Sequence, residues 1–428
     1  MSTKQKHSTP DFAKFIDAEE LAGLALKMAN TNSPMGHEQP LADVVHSWLS
    51  ENHLNSRLQP ILADRANVVA VLKGSGQGHS LLFNSHLDSE ISGPEWEWGM
   101  NAPDINRIGA WREGERLFGH TVLNDRGLMA TTMITLKALR DSGLPLAGDA
   151  IFTGVAGETG AAPVDEFQGL TYEGKGIGSR HLIAHGVRAD YALVAETTDF
   201  GISWIACGAC YFKVSVPGIN QYTPRSQRPD DIARHPNAIV KMAHVIQAIE
   251  KWAREYEARN TTETVCGRIV PKVNIGAVRG GVVYRPNRTS THCSIYVDVR
   301  ILPGADPLTV ERELSAVVAA AGVGAKVETY LARTGAVGQN VEPLADIVKR
   351  CCQAVTGHEP TPKAPQVVVS MWRDNNVFNE AGIPSLTFGP PRRREEDTSR
   401  LYFQLEDLVN MANIYAQVAY EICSQPKR

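Results

Sequence analysis

Between residues 17 and 49 apolar positions recur at intervals of three and four, interrupted by the turn-forming stretch 30–36, and this spacing predicts two helices. Short apolar runs follow at 66–72 (ANVVAVL) and 80–83 (SLLF); bounded by Gly and Asp, they read as buried strands. Helical spacing returns at 129–139, and 149–155 (DAIFTGV) and 190–194 (DYALV) read as further strands. Strands alternating with helices predict an α/β architecture, a mainly parallel sheet flanked by helices. After about residue 203 the pattern changes. Residues 211–217 (YFKVSVP), 294–300 (SIYVDVR) and 325–331 (AKVETYL) alternate apolar with polar, and helical spacing occupies 237–256 and 309–321. This order predicts a two-layer α+β module at 207–332 inserted into a domain formed by 1–206 and 333–428. In the second part of that domain, helices at 344–355 and 405–424 flank a strand at 385–388.

A chain of 428 residues is long enough for two or three compact units, and 43% hydrophobic with 21% charged residues is ordinary globular composition. The formal net charge of -4 provides no general attraction for nucleic acid or anionic membrane. Residues 1–11 are polar and no run approaches the ~20 apolar residues of a membrane span, so a cytosolic (cytoplasmic) protein is expected. The seven cysteines fit reduced thiols, and the Cys207-x-x-Cys210 pair lies in strand-like sequence with no second pair at zinc-site spacing. The charge run 392–397 (RRREED) reads as a solvated loop.

Four segments can deliver metal ligands from the ends of strands, where carboxylates and imidazoles are held rigidly. They are SLLFNSHLD with His86 and Asp88, GHTVLNDRGLMA with Asp125 in a turn before a helix, VAGETG with Glu158, and DYALVAETTD with Glu196. Singly, each residue reads equally as a loop carboxylate, a cap or a surface histidine.

In this order the segments resemble the metal-dependent amidohydrolase family of acetylornithine deacetylase, succinyl-diaminopimelate desuccinylase, aminoacylase and glutamate carboxypeptidase. The resemblance continues through VPG at 216–218, HPNAI at 235–239, VDVRILPG at 297–304 and GIPSLTFGP at 382–390. It implies that His86, Asp125 and Glu196 bind one metal ion, that Asp88 orients the imidazole, and that the inserted module serves as a dimerisation and lid domain. Three departures stand out. Gly157 and Glu158 occupy the place of two consecutive glutamates, and no histidine follows His358. The module also reads PGINQYTPR where many relatives have G-x-x-x-H. Together they imply a site for one divalent ion, Mn2+ favoured over Zn2+ or Fe2+, with Glu158 as general base on water acidified by the cation. The alternative is a binuclear site in which Asp397 or Glu396 replaces the missing histidine.

The resemblance further implies hydrolysis of C–N bonds in small carboxylate-bearing substrates, by a homodimer or higher homo-oligomer. Arg288, in a segment that also holds Arg285 and Arg300, is the expected carboxylate anchor, and Tyr222 and Trp372 are candidate aromatic walls. In the G-E-T-G and W-R-D-N-N variants and the missing terminal histidine the chain resembles an aryl-amine aminohydrolase, which exchanges a ring amine for hydroxyl and releases ammonia. An N-acyl-amino-acid deacylase or dipeptidase and a noncatalytic ligand-binding homologue are the alternatives.

Overall fold

The computed structural model describes residues 10–89, 109–398 and 400–427; the polar opening of the chain falls outside them up to residue 9. The chain divides into two compact units. The first comprises residues up to 204 with 338–368 and 373–428, and the second comprises 205–337 with 369–372.

The first unit is built on a six-stranded sheet in the spatial order Asn55–Leu62, Arg65–Leu72, Ala150–Val155, Leu81–His86, Tyr191–Val194, Ser385–Thr387. The last four strands are mutually parallel, and the first two are antiparallel additions at one edge. Alternate residues face opposite layers, and both faces are covered. Leu81, Phe83, Ala150 and Phe152 enter the large core formed with the helices Ala18–Ala29, Gly127–Ser142, Glu342–Thr356 and Leu405–Cys423. Leu82, Ile151, Val155 and Val194 pack the other way, against Leu182 of the helix Ile177–Ala184 and Phe378 of the helix Asn375–Glu380. Two-sided burial is why these strands are continuous apolar runs. The Asp17 carboxylate caps the first long helix, accepting from the N–H groups of Glu19 and Glu20 at 2.8 and 3.1 Å.

Asn55–Leu62 was not legible as a strand: it is half-exposed at the sheet edge and holds Pro60 among polar residues. The charge run is not simply a solvated loop either. Arg393–Arg394 pairs with Leu401–Gln404 in a small antiparallel sheet that continues through Arg116–Phe118 to Trp111–Glu113. Its charges are held laterally, by Asp407 on Arg393 and by Arg116 and Arg400 on Glu395.

The second unit has an antiparallel sheet in the order Val273–Gly280, His292–Ile301, Gly208–Pro217, Lys326–Arg333. The helices Ala238–Asn260 and Pro307–Ala320 cover one face, burying Met242, Val245, Ile249, Leu314 and Val318 against Phe212, Val214, Ile295 and Val297. Cys207 and Cys210 are buried free thiols that burial pushes up to about 12, so neither is a ready thiolate ligand.

Candidate active site

The three central parallel strands deliver the candidate chemistry. Leu81–His86 lies between Ala150–Val155 and Tyr191–Val194, so His86, Glu158 and Glu196 leave the carboxyl ends of three adjacent strands. Open α/β sheets bind their ligands at this edge. All three residues are at most 8% exposed.

His86 donates from Nδ1 to the backbone carbonyl of Asp88, 2.9 Å away, while the Asp88 carboxylate lies at 3.6 Å, beyond hydrogen-bond distance. Asp88, the residue expected to orient the imidazole, thus meets Nδ1 through its carbonyl, with its carboxylate further off. The carboxylate is occupied elsewhere. It accepts from the N–H groups of Glu158 and Thr159 at 3.0 and 2.8 Å, and from the Thr159 hydroxyl. Asp88 therefore ties the His86 strand end to the turn bearing Glu158.

With Nδ1 engaged, Nε2 of His86 is the nitrogen left for an ion. It lies 3.3 Å from Oδ1 of Asn124, a neighbour that the sequence reading passed over in favour of Asp125. Two ligands at about 2.1 Å from one ion stand roughly 3 Å apart, so the Nε2 and Oδ1 spacing suits a shared cation. The Asp125 carboxylate is turned to the backbone N–H of His86, 3.3 Å from Oδ2, and its buried Oδ1 has no hydrogen-bond partner among the described residues. Arg126, fully buried, fastens the turn by donating to the carbonyls of Asp88, Asn124 and Leu87 and to the Ser33 hydroxyl.

Glu196 is bound by a residue that sequence reasoning missed. Nε of Arg373 donates to Glu196 Oε2 at 2.5 Å, and the guanidinium also donates to the carbonyls of Val368 and Thr197 at 3.0 and 3.3 Å. Asp374, beside it, accepts from Nδ2 of Asn84 at 3.0 Å. The W-R-D-N-N motif thus contributes Arg373 and Asp374 to the site. Trp372 belongs to the second unit and is buried, at 2% exposure. Gly389 brings the segment after the last strand against Glu196, because a Cβ there would lie 2.2 Å from the Glu196 carbonyl oxygen. Asp397 is exposed, and among the described residues no hydrogen bond or ion pair joins it to His86, Glu158 or Glu196.

Tyr222 and Arg288 lie in the second unit, joined to each other by an isolated β-bridge. Tyr222 is 45% exposed. Arg288 donates to Asn220 Oδ1 at 3.3 Å and, with Arg279, Arg285 and His292, lines a cavity of about 350 Å³.

The buried acids of the first unit repel one another. Burial and the Glu196 charge push the Glu158 carboxyl up to about 8, against the Lys175 ammonium and His86. Burial likewise raises Asp374 to about 6 and Asp125 well above the ordinary carboxylate range. For His86, burial opposes the charged form, yet Asp88, Asp125 and Glu158 outweigh it and raise the imidazole above its usual value. Among the described residues no three His, Cys, Asp or Glu side chains stand already assembled as a metal cage. The donor chemistry nevertheless fits a divalent ion: an imidazole nitrogen beside an amide oxygen, an unpartnered buried carboxylate oxygen and an excess of buried negative charge.

The raised groups carry a sign. A carboxyl whose pKa is higher in the fold stabilises the protein below its unfolded value and loses that contribution as pH rises through the folded value. For Glu158 the window runs from 4.5 to about 8, and raised Asp374, Asp125 and His86 act in the same direction. Chelated protein is expected to lose Tm steadily across this window, and added Mn2+ to flatten the decline. A scan of Tm against pH with and without the ion checks both.

Gly157 explains why Glu158 has no glutamate before it. Its φ is +65°, and a Cβ would lie 2.4 Å from Nη2 of Arg65 and 2.5 Å from Cγ2 of Ile177. Arg65 cannot yield readily, since it is fully buried in an ion pair with Glu38 at 2.8 Å. Gly157→Ala is expected to destabilise by about 1–3 kcal/mol or more, measured by denaturant unfolding.

An imidazole and carboxylates at the carboxyl edge of a parallel sheet, with a separate two-layer unit inserted in the chain, define a metallohydrolase. The model of Peptidase family M20/M25/M40 matches residues 82–421, and the chain belongs to that family. Across 95% of both chains it is 22% identical to N-formyl-4-amino-5-aminomethyl-2-methylpyrimidine deformylase of Halalkalibacterium halodurans. In fold it is similar to the di-peptidase Dug1p of Saccharomyces cerevisiae, with TM-score 0.69 and 11% identity over 99% of this chain and 100% of that one. It is similar too to the YXEP protein of Bacillus subtilis, described as a dinuclear metal binding peptidase, with TM-score 0.59 and 14% identity over 96% and 99%. The chain is accordingly a metal-dependent hydrolase of C–N bonds. No helix among the described residues is long and apolar enough to cross a membrane.

Proposed function

We propose that this hydrolase replaces the amine of an electron-poor aminobenzoate by hydroxyl, releasing ammonia, with one divalent ion, Mn2+ favoured. The observation that carries the reading is Glu158. Its carboxyl is buried, poised near neutrality and without a hydrogen-bond partner for its oxygens among the described residues, as a general base requires. His86 and Glu196 would hold the ion together with the Asn124–Asp125 turn, where Asn124 Oδ1 is the oxygen beside Nε2. When bound, the ion acidifies water and so supplies the nucleophile. Glu158 takes the proton of that water and returns it to the departing amine, so that ring amine and water become phenol and ammonia.

Charge supports a single ion. Buried Asp88, Asp125, Glu158, Glu196 and Asp374 face buried Arg126, Lys175 and Arg373. One divalent cation with neutral His86 brings this set to zero, whereas two would leave it positive. With one ion there is no second metal to hold an amide oxygen, which suits attack on a ring carbon. The substrate class follows the W-R-D-N-N and G-E-T-G variants, in which the chain resembles 5-nitroanthranilate aminohydrolase. Arg288 in its cavity is the proposed carboxylate anchor, with Tyr222 and Trp372 as aromatic contacts. Pairing of two copies is expected through the second unit, whose outer strand Val273–Gly280 is largely exposed.

A second reading, hydrolysis of a formamide on an aromatic amine, is favoured by the full-length likeness to the pyrimidine deformylase. Incubation of Mn2+-loaded protein with 5-nitroanthranilate and other aminobenzoates, beside N-formyl and N-acyl aryl amines and amino acids, separates the readings. Ammonia from the aminobenzoates is expected. Formate or acetate without ammonia establishes an acyl hydrolase, and no product from either set leaves a ligand-binding homologue.

A further inference from the structure

Lys175 has no part in the family resemblance, yet its position is unusual. Hydrogen bonds from Gly174 N to Ala161 O (3.0 Å), Lys175 N to Thr159 O (3.2 Å) and Gly176 N to Gly157 O (2.9 Å) lay its segment alongside the turn that bears Glu158. Its backbone partner is the residue after Glu158, and that of Gly176 is the residue before. Lys175 also has φ +46°, a left-handed conformation that costs a residue with a side chain about 1–2 kcal/mol and a glycine nothing. Both neighbours are glycine, so the chain retains a lysine where a third glycine would be free of strain. The side chain is directed inward, at 6% exposure, although lysine is the residue that most readily keeps its ammonium in water.

A buried ammonium requires an opposing charge. Four charged groups act on Glu158: Glu196 and Asp374 repel its negative form, and Lys175 and His86 favour it. His86 supplies an ion's ligand as a neutral ring, which leaves Lys175 as the group among these that favours the Glu158 carboxylate. We propose that Lys175 belongs to the active site as a positioning residue, its ammonium fixed across the Gly157–Thr159 turn to hold Glu158 as a carboxylate turned toward the reacting water. The backbone strain is the cost of that placement.

This inference rests on Glu158 being the base, and two measurements keep the two claims apart. The first is a thermal-unfolding cycle near pH 9, above the value of about 8 to which burial raises Glu158, on wild type, Lys175→Met, Glu158→Gln and the double variant. Lys175→Met is expected to lower Tm by about 3 °C when Glu158 is present and by less than about 1 °C in the Glu158→Gln background. Equal penalties in both backgrounds overturn the proposal. The second is turnover in whichever of the ammonia- or formate-release reactions the protein performs. Lys175→Met is expected to lower kcat about tenfold with KM little changed, and Lys175→Arg to restore most of it; equal loss in both variants also overturns the proposal. Should Lys175→Met not accumulate, Lys175→Gln supports the same comparisons. Full turnover by Glu158→Gln would instead sink the base assignment, while the unfolding cycle still reports whether the two residues are coupled.

Discussion

Replacing His86 by alanine is expected to empty the ion site and reduce turnover by at least ~10³-fold, with the fold retained. The imidazole is the proposed nitrogen ligand, and its Nδ1 is committed to the Asp88 carbonyl, so no second orientation offers the same lone pair. A bound cation supplies several kcal/mol to the transition state, and each 1.36 kcal/mol is about a factor of ten in rate. Elemental analysis of the variant should find the ion absent after dialysis, whereas wild type retains one per chain. Chelation of wild type should reproduce the loss, and Mn2+ should reverse it in wild type but not in the variant. Two ions per wild-type chain would contradict the charge balance drawn from Arg126, Lys175 and Arg373. An alanine variant with full activity would dismiss the site altogether.

Glu158→Gln is expected to keep the ion and lower kcat by about 10²–10⁴-fold, with a small change in KM. The amide matches the carboxyl in size and retains hydrogen-bonding capacity, but it cannot accept the proton. Because the variant removes a carboxyl that burial and Glu196 hold up to about 8, it should also be more stable than wild type above that pH when the ion is withheld. Loss of the ion in this variant would identify Glu158 as a ligand. The pairing of lost turnover with gained alkaline stability separates a functional carboxyl from one that merely completes the packing.

Much of the fold could be read from periodicity because burial on two faces writes itself as continuous apolar runs. Leu81–His86 and Ala150–Val155 are of this kind, and the alternating strands of the second unit are equally plain. Elements whose residues are polar, short and exposed left no such trace, as with Asn55–Leu62 and the paired Arg393–Arg394. At the site, His86, Asp88, Glu158 and Glu196 were legible as acids or imidazole at strand ends. Asn124 was obscured by the aspartate next to it, since sequence does not tell which of two adjacent side chains turns toward Nε2. Arg373 comes from a separate stretch of chain, and only folding shows that it meets the buried Glu196. The Gly157 substitution was visible, but its reason, the Arg65 guanidinium behind it, was not.

The last helix has a consequence for synthesis on the ribosome. Asn413 of Leu405–Cys423 accepts from the backbone of Phe12 and donates to Asp11, and the Cys423 carbonyl receives the N–H groups of Ala147 and Gly148. The first unit therefore closes around residues made late, while nearly all of the second unit comes from one stretch, 205–337. At about 5–20 residues per second, the strands that carry His86 and Glu196 wait roughly ten seconds or more with an apolar face uncovered. A nascent chain stalled before residue 405 would thus be a substrate for chaperones, even though every residue proposed to touch the ion has already been translated.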